Sequence, residues 1–430
     1  MKPCQPLNLM AAIALSSGFA WNTCVADDLT SKDDTNWIRI QLDARFRSEG
    51  VSAADFNNDG AMDVAAGDVL YLAPQADTDA TDSKNWTRRD IREPGDFVAG
   101  KGYSNSFANT AWDMNQDGLV DQVIIGFPGD PFHWYENPGD SDQLWKQHVI
   151  WNSACNESPE FEDLNGDGTP EFILGSQPES VMAVISIPTK DQTQQIFPMT
   201  SVSQPSQQAK DAKRRGTDNG TFKYSHGLGI GDVNTDGLAD IIITKGWWEA
   251  PKASESQEQW AFHPFGSILE AGDSAAKSES LPDAANIYAD DLDSDGDADL
   301  FLSSAHKFGV WWAENKGDAQ WVLHEIDKSY SQTHAVEQVD VNGDGQLDYI
   351  TGKRFFAHNG NDPGGNDEVD MYWYEVKRSQ NTPPVITRHR IVAGHDTGVG
   401  TQFQIQDMNQ DGKPDIVLSN KKGVNVLLQK

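Results

Sequence analysis

The chain has 430 residues and is strongly acidic, with 66 Asp and Glu against 33 Lys and Arg and a formal net charge of −33. This balance argues against nucleic acid as the main partner, because phosphate binding requires a surplus of basic side chains. Hydrophobic residues make up 37% and aromatic residues 10% of the chain, so a folded core is expected and disorder is not.

The first 26 residues resemble a secretory signal peptide. Lys2 precedes an uncharged apolar stretch from Leu7 to Ala20, and Cys24-Val-Ala26 has the small-x-small pattern of a cleavage site. Residues 27–36 are predicted to form a flexible tail. No later stretch reaches the ~18 apolar residues of a membrane span. The sequence therefore predicts a secreted or periplasmic protein without a membrane span.

One acidic pattern, D-x-[ND]-x-D-G-x-x-[DE], recurs seven times along the chain. Positions 1, 3, 5 and 9 carry the oxygen ligands that Ca²⁺ prefers, and Gly at position 6 permits the positive φ that turns the chain around an ion. The flanks are strand-like, unlike the helices of an EF-hand, so we predict β-hairpin turns that hold up to seven structural Ca²⁺ ions. The predicted ligands are Asp55, Asn57, Asp59, Asp63, Asp113, Asn115, Asp117, Asp121, Asp163, Asn165, Asp167, Glu171, Asp232, Asn234, Asp236, Asp240, Asp291, Asp293, Asp295, Asp299, Asp340, Asn342, Asp344, Asp348, Asp407, Asn409, Asp411 and Asp415.

Two further patterns recur in step with the acidic turn. One is a Trp-x-x-His strand, as in Trp145-Lys-Gln-His148, and the other is an aromatic strand ending in Glu-Asn, as in His133-Trp-Tyr-Glu-Asn137. Each repeat thus reads as four strands with the acidic turn between the first and the second. Seven such repeats predict an all-β, seven-bladed propeller over residues 37–430. The strand that begins at Trp37 is predicted to close the last blade by pairing with its edge.

This organisation resembles the FG-GAP/VCBS family of calcium-loop propellers over essentially all of residues 37–430. The resemblance implies the fold but not the function, because such propellers serve as adhesion modules, lectin-like binders and enzymes. A monomer is expected.

The face opposite the acidic turns collects the residues before the first strands and those after the second strands. Before first strands stand Glu157, His226 and His334, and cations follow several second strands in a chain that otherwise has two acids for each base. We predict a basic, histidine-rich mouth that binds an anionic or oxidised carbohydrate. The predicted substrate-binding side chains are Lys245, Trp247, Glu157, Tyr288, His306, Lys307, His358 and Lys421.

Each of these signals also has a purely structural interpretation. A Lys after a strand is usually a solvated turn residue. His226 and His334 could be hydrogen-bonded histidines of inner strands, and Trp247 could be a core aromatic. Cys155 has no motif that would activate it. The convergence of several such signals on one face is what favours a site.

The sixth repeat contains Thr333-His334-Ala-Val-Glu337 and then Gly352-Lys353-Arg354-Phe-Phe-Ala-His358. This segment resembles the propeller part of the aldos-2-ulose dehydratases and their bacterial VCBS-repeat relatives. The ulvan-type polysaccharide lyases are similar at the level of the fold. Both resemblances imply β-elimination on a sugar, in which a base removes a proton α to a carbonyl group and an acid assists the leaving oxygen.

In that interpretation the base is His334 or His226, and the acid is Tyr224 or Tyr288. Cations would neutralise the developing negative charge, and the candidates are Lys353, Arg354 and Lys245.

Other interpretations remain open. His226, His334 and His358 could hold a transition metal such as Zn²⁺, although no HxH or HExxH spacing supports it. The chain could also be a non-enzymatic propeller that binds carbohydrate or protein, or a calcium-stiffened structural module without a site.

Overall fold

The computed structural model describes residues 29–75, 77–193, 195–206, 216–252, 260–380 and 382–430. The signal peptide predicted over residues 1–26 lies outside the described residues. No helix in these ranges is long and apolar enough to cross a membrane.

Short apolar runs between Gly-rich turns form strands throughout the described residues. The thirty strands are β1 (Thr30–Asp34), β2 (Trp37–Asp43), β3 (Ser52–Ala54), β4 (Asp63–Ala66), β5 (Val69–Leu72), β6 (Thr87–Asp90), β7 (Ala108–Trp112), β8 (Asp121–Ile125), β9 (Phe132–Glu136), β10 (Lys146–Trp151), β11 (Glu160–Glu162), β12 (Glu171–Ser176), β13 (Val181–Ser186), β14 (Met199–Ser201), β15 (Leu228–Gly231), β16 (Asp240–Ile243), β17 (Gly246–Glu249), β18 (Ala261–Pro264), β19 (Ser267–Glu270), β20 (Ala284–Asp290), β21 (Asp299–Ser304), β22 (Phe308–Asn315), β23 (Gln320–Ser331), β24 (Val336–Val339), β25 (Asp348–Gly352), β26 (Met371–Ser379), β27 (Thr382–Ile391), β28 (Gln404–Gln406), β29 (Asp415–Asn420) and β30 (Gly423–Gln429). The short 3₁₀ helices are Ser83–Asn85, Lys190–Gln192, Ala357–Gly360 and Val392–Gly394.

These strands form the sheets of an all-β propeller. Five sheets of four or five strands stand as separate blades, and they consist of β3–β6, β7–β10, β11–β14, β24–β27 with β1, and β28–β30 with β2. The sixth sheet has nine strands and contains β15–β18 together with β19–β23. First strands of neighbouring units contact each other around the ring, and the contact between β28 and β3 closes it.

The prediction of seven separate blades therefore requires a correction in the nine-stranded sheet. Leu228 of β15 pairs in parallel with Asn286 of β20, which joins the four-stranded unit β15–β18 to the five-stranded unit β19–β23. Glycine explains the close approach, because a Cβ atom on Gly229 would lie 1.8 Å from the carbonyl oxygen of Ile287. A side chain at that position would separate the two inner strands.

Both N-terminal strands are paired. The predicted closure is confirmed, because β2 pairs antiparallel with β30 from Trp37 opposite Gln429 onwards. The sequence predicted a flexible tail over residues 27–36, whereas β1 within it pairs in parallel with β27. Asp34 ties this segment down by accepting hydrogen bonds from the indole N–H groups of Trp37 at 2.9 Å and Trp373 at 3.0 Å.

The His of the Trp-x-x-His pattern has a structural role in the outer part of three units, and His389, which follows Ile386 instead of a Trp, has the same role in a fourth unit. In each one a His of the fourth strand stacks on a Trp of the third strand, with ring centroids 3.9–4.3 Å apart, and hydrogen-bonds the Glu two residues after that Trp. The four sets are Trp134, His148 and Glu136; Trp247, His263 and Glu249; Trp312, His324 and Glu314; and Trp373, His389 and Glu375.

Candidate functional site

Three histidines from three repeat segments meet at the end of the propeller opposite the acidic turns. His226 precedes β15, His334 precedes β24, and His306 follows β21. Since the first strands line the axis, residues that precede them converge there. The parallel bridge between Asn156 and Ser225 places Glu157 beside His226.

The three rings, here called the histidine cluster, point their Nε2 atoms at one another. Nε2 of His226 lies 3.1 Å from Nε2 of His334 and 3.1 Å from Nε2 of His306. The side chains are 8%, 0% and 14% exposed for His226, His334 and His306, so the cluster is almost withdrawn from solvent. The ligating atoms of all three lie within 4.8 Å of one another.

A chain of buried charges borders the cluster. Oε2 of Glu157 lies 3.2 Å from Nε2 of His334 and 3.6 Å from Nε2 of His226. Arg354 lies between two carboxylates, with Nη1 at 3.4 Å from Glu157 and Nη2 at 3.2 Å from Glu49. Through its contact with Arg354, this row of charges holds the carboxylate of Glu157 against the cluster.

The surroundings shift the pKa values of the three histidines in different directions, and a proton favoured on His226 must leave before that ring can bind a metal. Burial opposes protonation of His226, but Glu157 outweighs it and raises the pKa of His226. Burial and the charge of Arg354 hold the pKa of His334 well below its usual range, and burial with His226 lowers the pKa of His306 to about 4. Although burial opposes ionisation, His226 and His334 hold the pKa of Glu157 well below its usual range. Two neutral imidazoles and an ionised carboxylate are ligands in the form that metals bind.

The donor set fits a divalent transition metal. Zn–N bonds of roughly 2.0–2.1 Å in a tetrahedral site place neighbouring nitrogens about 3.3 Å apart, close to the 3.1 Å separations seen here. Of the predicted set of His226, His334 and His358, the structure brings the first two together with His306, and His358 forms a second group with His306 and Asp362. Nδ1 of His358 instead contacts Asp362 at 3.0 Å, and its ring stacks on the outer side of His306.

A cavity of about 590 Å³ opens from the cluster to solvent. One side of it, here called the aromatic wall, is formed by Tyr103, Phe107, Phe127, Phe222 and Tyr224. Glu157, Lys245, Asp283, His226, His306 and His358 are the titratable groups among its other lining residues. The cavity therefore combines an apolar surface with histidines, and Lys245 is the only lysine among its described lining residues.

The predicted basic mouth is not formed by the cations after β25. Lys353 and Arg354 are each 1% exposed, so neither is presented to a ligand in the cavity. Lys353 donates to Ser331 Oγ at 3.0 Å and Gln332 Oε1 at 2.8 Å, and burial lowers its pKa to about 8. Lys421 is also buried and donates to the carbonyl oxygen of Phe356 at 3.1 Å.

Three other predicted site residues lie elsewhere. Tyr288 lines a central channel of about 470 Å³ and donates to the carbonyl oxygen of Val336 at 2.7 Å. Trp247 stacks on His263 in its own blade, with the ring centroids 4.3 Å apart. Lys307 is exposed and does not line the cavity. These positions follow from strand alternation, which turns successive side chains to opposite faces.

Sequence reasoning missed several residues of the site. Glu49 stands at the same position before its first strand as Glu157, His226 and His334, and the alignment of the repeats includes it, but it is not among the predicted site residues. Asp362 follows His358 by four residues, but no pattern in the sequence shows that it also reaches His306.

The acidic turns lie at the opposite end, between the first and second strands. In all seven turns the N–H groups of positions 5 and 6 donate to the Asp at position 1. The Gly at position 6 has φ between 83° and 100°, as predicted. In the fifth turn the carboxylates of Asp291, Asp293 and Asp295 come within 4.8 Å of one another. Hard oxygen donors in this arrangement suit Ca²⁺, and calcium binding itself stays a prediction.

Comparisons with known proteins agree with the propeller. A family model described as FG-GAP-like repeat matches residues 113–174 and 291–351, so the chain contains FG-GAP-like repeats. The aldos-2-ulose dehydratase resemblance is not confirmed by this match. A search of curated proteins gives no match.

Solved structures with a similar fold include a lectin from Agrocybe aegerita that recognises non-reducing terminal N-acetylglucosamine, at 16% identity, with 84% of this chain and 80% of that chain covered and a TM-score of 0.41. YCF48 from Cyanidioschyzon merolae is 11% identical over 91% of this chain and 98% of that chain, with a TM-score of 0.42. A 6-phosphogluconolactonase-like protein from Bacteroides uniformis is 10% identical over 86% and 88%, with a TM-score of 0.41. Similarity at this level concerns the fold alone.

Proposed function

We propose that this β-propeller with FG-GAP-like repeats is a secreted or periplasmic carbohydrate-active enzyme that binds one transition-metal ion at its histidine cluster and catalyses β-elimination on an oxidised sugar. The observation that carries the proposal is the convergence of His226, His306 and His334 at the inner end of an open cavity. The three histidines direct their Nε2 atoms at one point, and the carboxylates of Glu157 and Asp362 contact the same rings, as carboxylates do around metal-binding histidines.

The metal would be held by the three Nε2 atoms with Glu157 beside them. When bound, such an ion acts as a Lewis acid toward a carbonyl or enolate oxygen. Imidazole and carboxylate ligands are compatible with zinc and with several other first-row metals.

Proton transfer is assigned to two side chains that line the cavity and are open to solvent. Nδ1 of His358 is bound to Asp362, so its Nε2 is the atom that can accept the proton from the carbon α to the sugar carbonyl. The hydroxyl of Tyr224 donates a proton to the leaving oxygen at the β carbon, which it reaches from the aromatic wall. The predicted base His334 is replaced in this role because its side chain is fully buried.

The step balances within the substrate and these two residues. The α C–H bond and the β C–O bond break, a C=C bond forms in conjugation with the carbonyl, and the oxygen leaves as water or an alcohol. His358 gains a proton and Tyr224 loses one, so transfer through solvent restores both.

The cavity favours an oxidised sugar over a polyanion. Lys353, Arg354 and Lys421 are buried, and Lys245 donates to the carbonyl oxygen of Thr217. The described lining residues offer a uronate polymer little positive charge, whereas a keto-sugar offers the neutral carbonyl that a metal polarises. The aromatic wall supplies a flat apolar surface for a sugar ring.

The experiment is an absorbance assay on keto-sugars and on uronate polysaccharides, because elimination creates a conjugated double bond. The zinc-loaded protein should raise near-UV absorbance with a keto-sugar, and His334→Gln should abolish the rise. His389→Gln, which changes a partly buried His in the outer part of another blade, is the matched control and should remain active. If near-UV absorbance rises with none of the sugars, the proposed enzymatic activity is refuted.

A non-enzymatic carbohydrate binder is the second candidate, and the aromatic wall is the observation that favours it. In that case sugars should bind without chemical change, Tyr224→Ala should weaken binding, and His334→Gln should leave the affinity unchanged.

The acidic turns are proposed to hold structural calcium. We infer that the nine-stranded sheet consists of two blades in contact, which gives seven units and one acidic turn for each. Calcium at these turns would offset the repulsion among clustered carboxylates and stabilise the end of the propeller away from the site.

A further inference from the structure

One carboxylate outside the cluster contacts two of the site's histidines. Asp362 Oδ2 lies 3.2 Å from Nδ1 of His306, and both of its oxygens lie 3.0 Å from Nδ1 of His358. Gln332 Nε2 donates to the same carboxylate at 3.2 Å. The side chain of Asp362 is only 15% exposed, so these contacts are shielded from water.

The contact with Asp362 determines which nitrogen of His306 carries the proton and which has a lone pair available. A neutral imidazole carries one N–H, and a carboxylate can only accept a hydrogen bond. The proton of His306 therefore belongs on Nδ1, toward Asp362, and the lone pair belongs on Nε2, which is the atom that faces His226 at 3.1 Å. With the other tautomer, an N–H group would point into the cluster.

The backbone around Asp362 is held in an uncommon conformation. Phe356, His358 and Asn359 have φ of 53°, 46° and 55°, in the left-handed region that residues other than glycine adopt uncommonly. The N–H of His358 donates to the hydroxyl of Tyr103 at 2.9 Å, which ties the loop to the aromatic wall. These contacts compensate for the unfavourable backbone and keep His358 stacked on His306.

We propose that Asp362 is a positioning residue for the histidine cluster, which fixes His306 with Nε2 available to a metal ion and orients His358 with Nε2 toward the cavity. The inference rests on the proposed function, since it concerns the same metal site. Outer-shell carboxylates of this kind typically contribute a factor of roughly 10–100 in metal affinity.

The test compares Zn²⁺ affinity, measured by competition with a chromophoric chelator, in the wild type, Asp362→Asn and Asp370→Asn. Asparagine keeps the shape of the side chain, but its N–H₂ group can donate to Nδ1 of His306 and favour the wrong tautomer. Asp370 is the matched control, because it contacts Nδ1 of His395 at 2.9 Å with 12% exposure, away from the cluster. We expect Asp362→Asn to weaken binding by about 10–100-fold and Asp370→Asn to leave it unchanged.

A spectroscopic measurement tests the tautomer of His306 directly in the wild type. In the metal-free wild type, side-chain ¹H–¹⁵N correlation spectra should show His306 as the Nδ1–H tautomer, with the signal identified by its loss in His306→Gln. An Nε2–H tautomer would overturn the proposal.

The outcomes separate the two proposals. If the wild type binds no transition metal, the proposed function fails at its metal site. If the wild type binds one ion and Asp362→Asn binds it equally well, the positioning role alone fails. If the wild type binds two ions and Asp362→Asn binds one, Asp362 is a direct ligand, and the positioning role is overturned.

Discussion

Nε2 of His226 lies 3.1 Å from Nε2 of His334, although 108 residues separate them along the chain. The two histidines stand at equivalent places before the first strands of two units, so the ring of the propeller brings them together. This one contact determines most of what the site can do, because neither histidine belongs to a local metal-binding motif.

Metal binding should depend on each member of the cluster. His306→Gln removes one of three nitrogen ligands, so it should lower Zn²⁺ affinity by more than the roughly 10–100-fold typical of an outer-shell partner. Competition with a chromophoric chelator measures the affinity, and elemental analysis measures the stoichiometry. His324→Gln, in the outer part of a blade, should bind like the wild type. Equal affinity in all three proteins would contradict the metal site.

Calcium should stabilise the propeller. A ligand present at 100 times its Kd adds about 2.7 kcal/mol per site to the free energy of unfolding, so removal by EGTA should lower the Tm and added Ca²⁺ should restore it. Asp291→Asn, in the turn with three clustered carboxylates, should reduce the restored Tm. An unchanged Tm after calcium removal would contradict structural calcium.

Tyr224 should matter for chemistry more than for folding. Its side chain is 38% exposed on the cavity wall, so Tyr224→Phe removes the proton donor with little loss of packing. Turnover of a keto-sugar, followed by near-UV absorbance, should fall by roughly 10²–10⁴-fold. The Tm should stay the same, and an unchanged turnover would remove Tyr224 from the mechanism.

The repeated Trp, His and Glu sets should stabilise the blades unequally. His148 is 6% exposed, stacks on Trp134 and bonds Glu136 at 2.8 Å, whereas His263 makes the same contacts with 43% exposure. His148→Ala should lower the free energy of unfolding by about 1–3 kcal/mol, because it removes a buried ring that stacks on Trp134 and hydrogen-bonds Glu136. His263→Ala should cost less. Denaturant titration measures the free energy of unfolding of both variants. Equal decreases in the two variants would contradict the idea that burial of the His strengthens its contribution to stability.

The central channel should make stability depend on pH. Glu160, Glu162 and Glu337 line this channel together with Tyr288. Burial and the charge of Glu162 raise the pKa of Glu160 to about 8. Burial and the charge of Glu160 raise the pKa of Glu337 well above its usual range. The unfolded chain loses these protons near pH 4.3, so between about pH 4.3 and 8 the folded state binds more protons and its stability falls as pH rises.

Glu337→Gln removes one of the channel carboxylates and should therefore reduce the fall in folding stability as pH rises. The measurement is the free energy of unfolding between pH 5 and pH 8, compared with the exposed control Glu93→Gln. An identical pH dependence in the wild type and Glu337→Gln would show that the channel carboxylates do not control it.

The repeat pattern determined the fold to a large extent. Alternating apolar strands, a fixed acidic turn and an N-terminal strand that matches the missing outer strand are local signals, because strand periodicity and glycine turns depend on neighbouring residues. The joining of two units at Leu228 and Asn286 was not predictable in this way, since it depends on how closely two distant backbones approach at Gly229.

The sequence by itself placed His226, His334 and Glu157 on one face, because their distance from the next acidic turn is the same in each repeat. Only the tertiary structure decided which side chains meet there. It brought His306 into the cluster, turned His358 to Asp362, buried Arg354 between two glutamates and moved Tyr288 to the channel. The physical reason is that repeat position sets the end of a strand, whereas side-chain direction and burial depend on packing between blades that are remote in sequence.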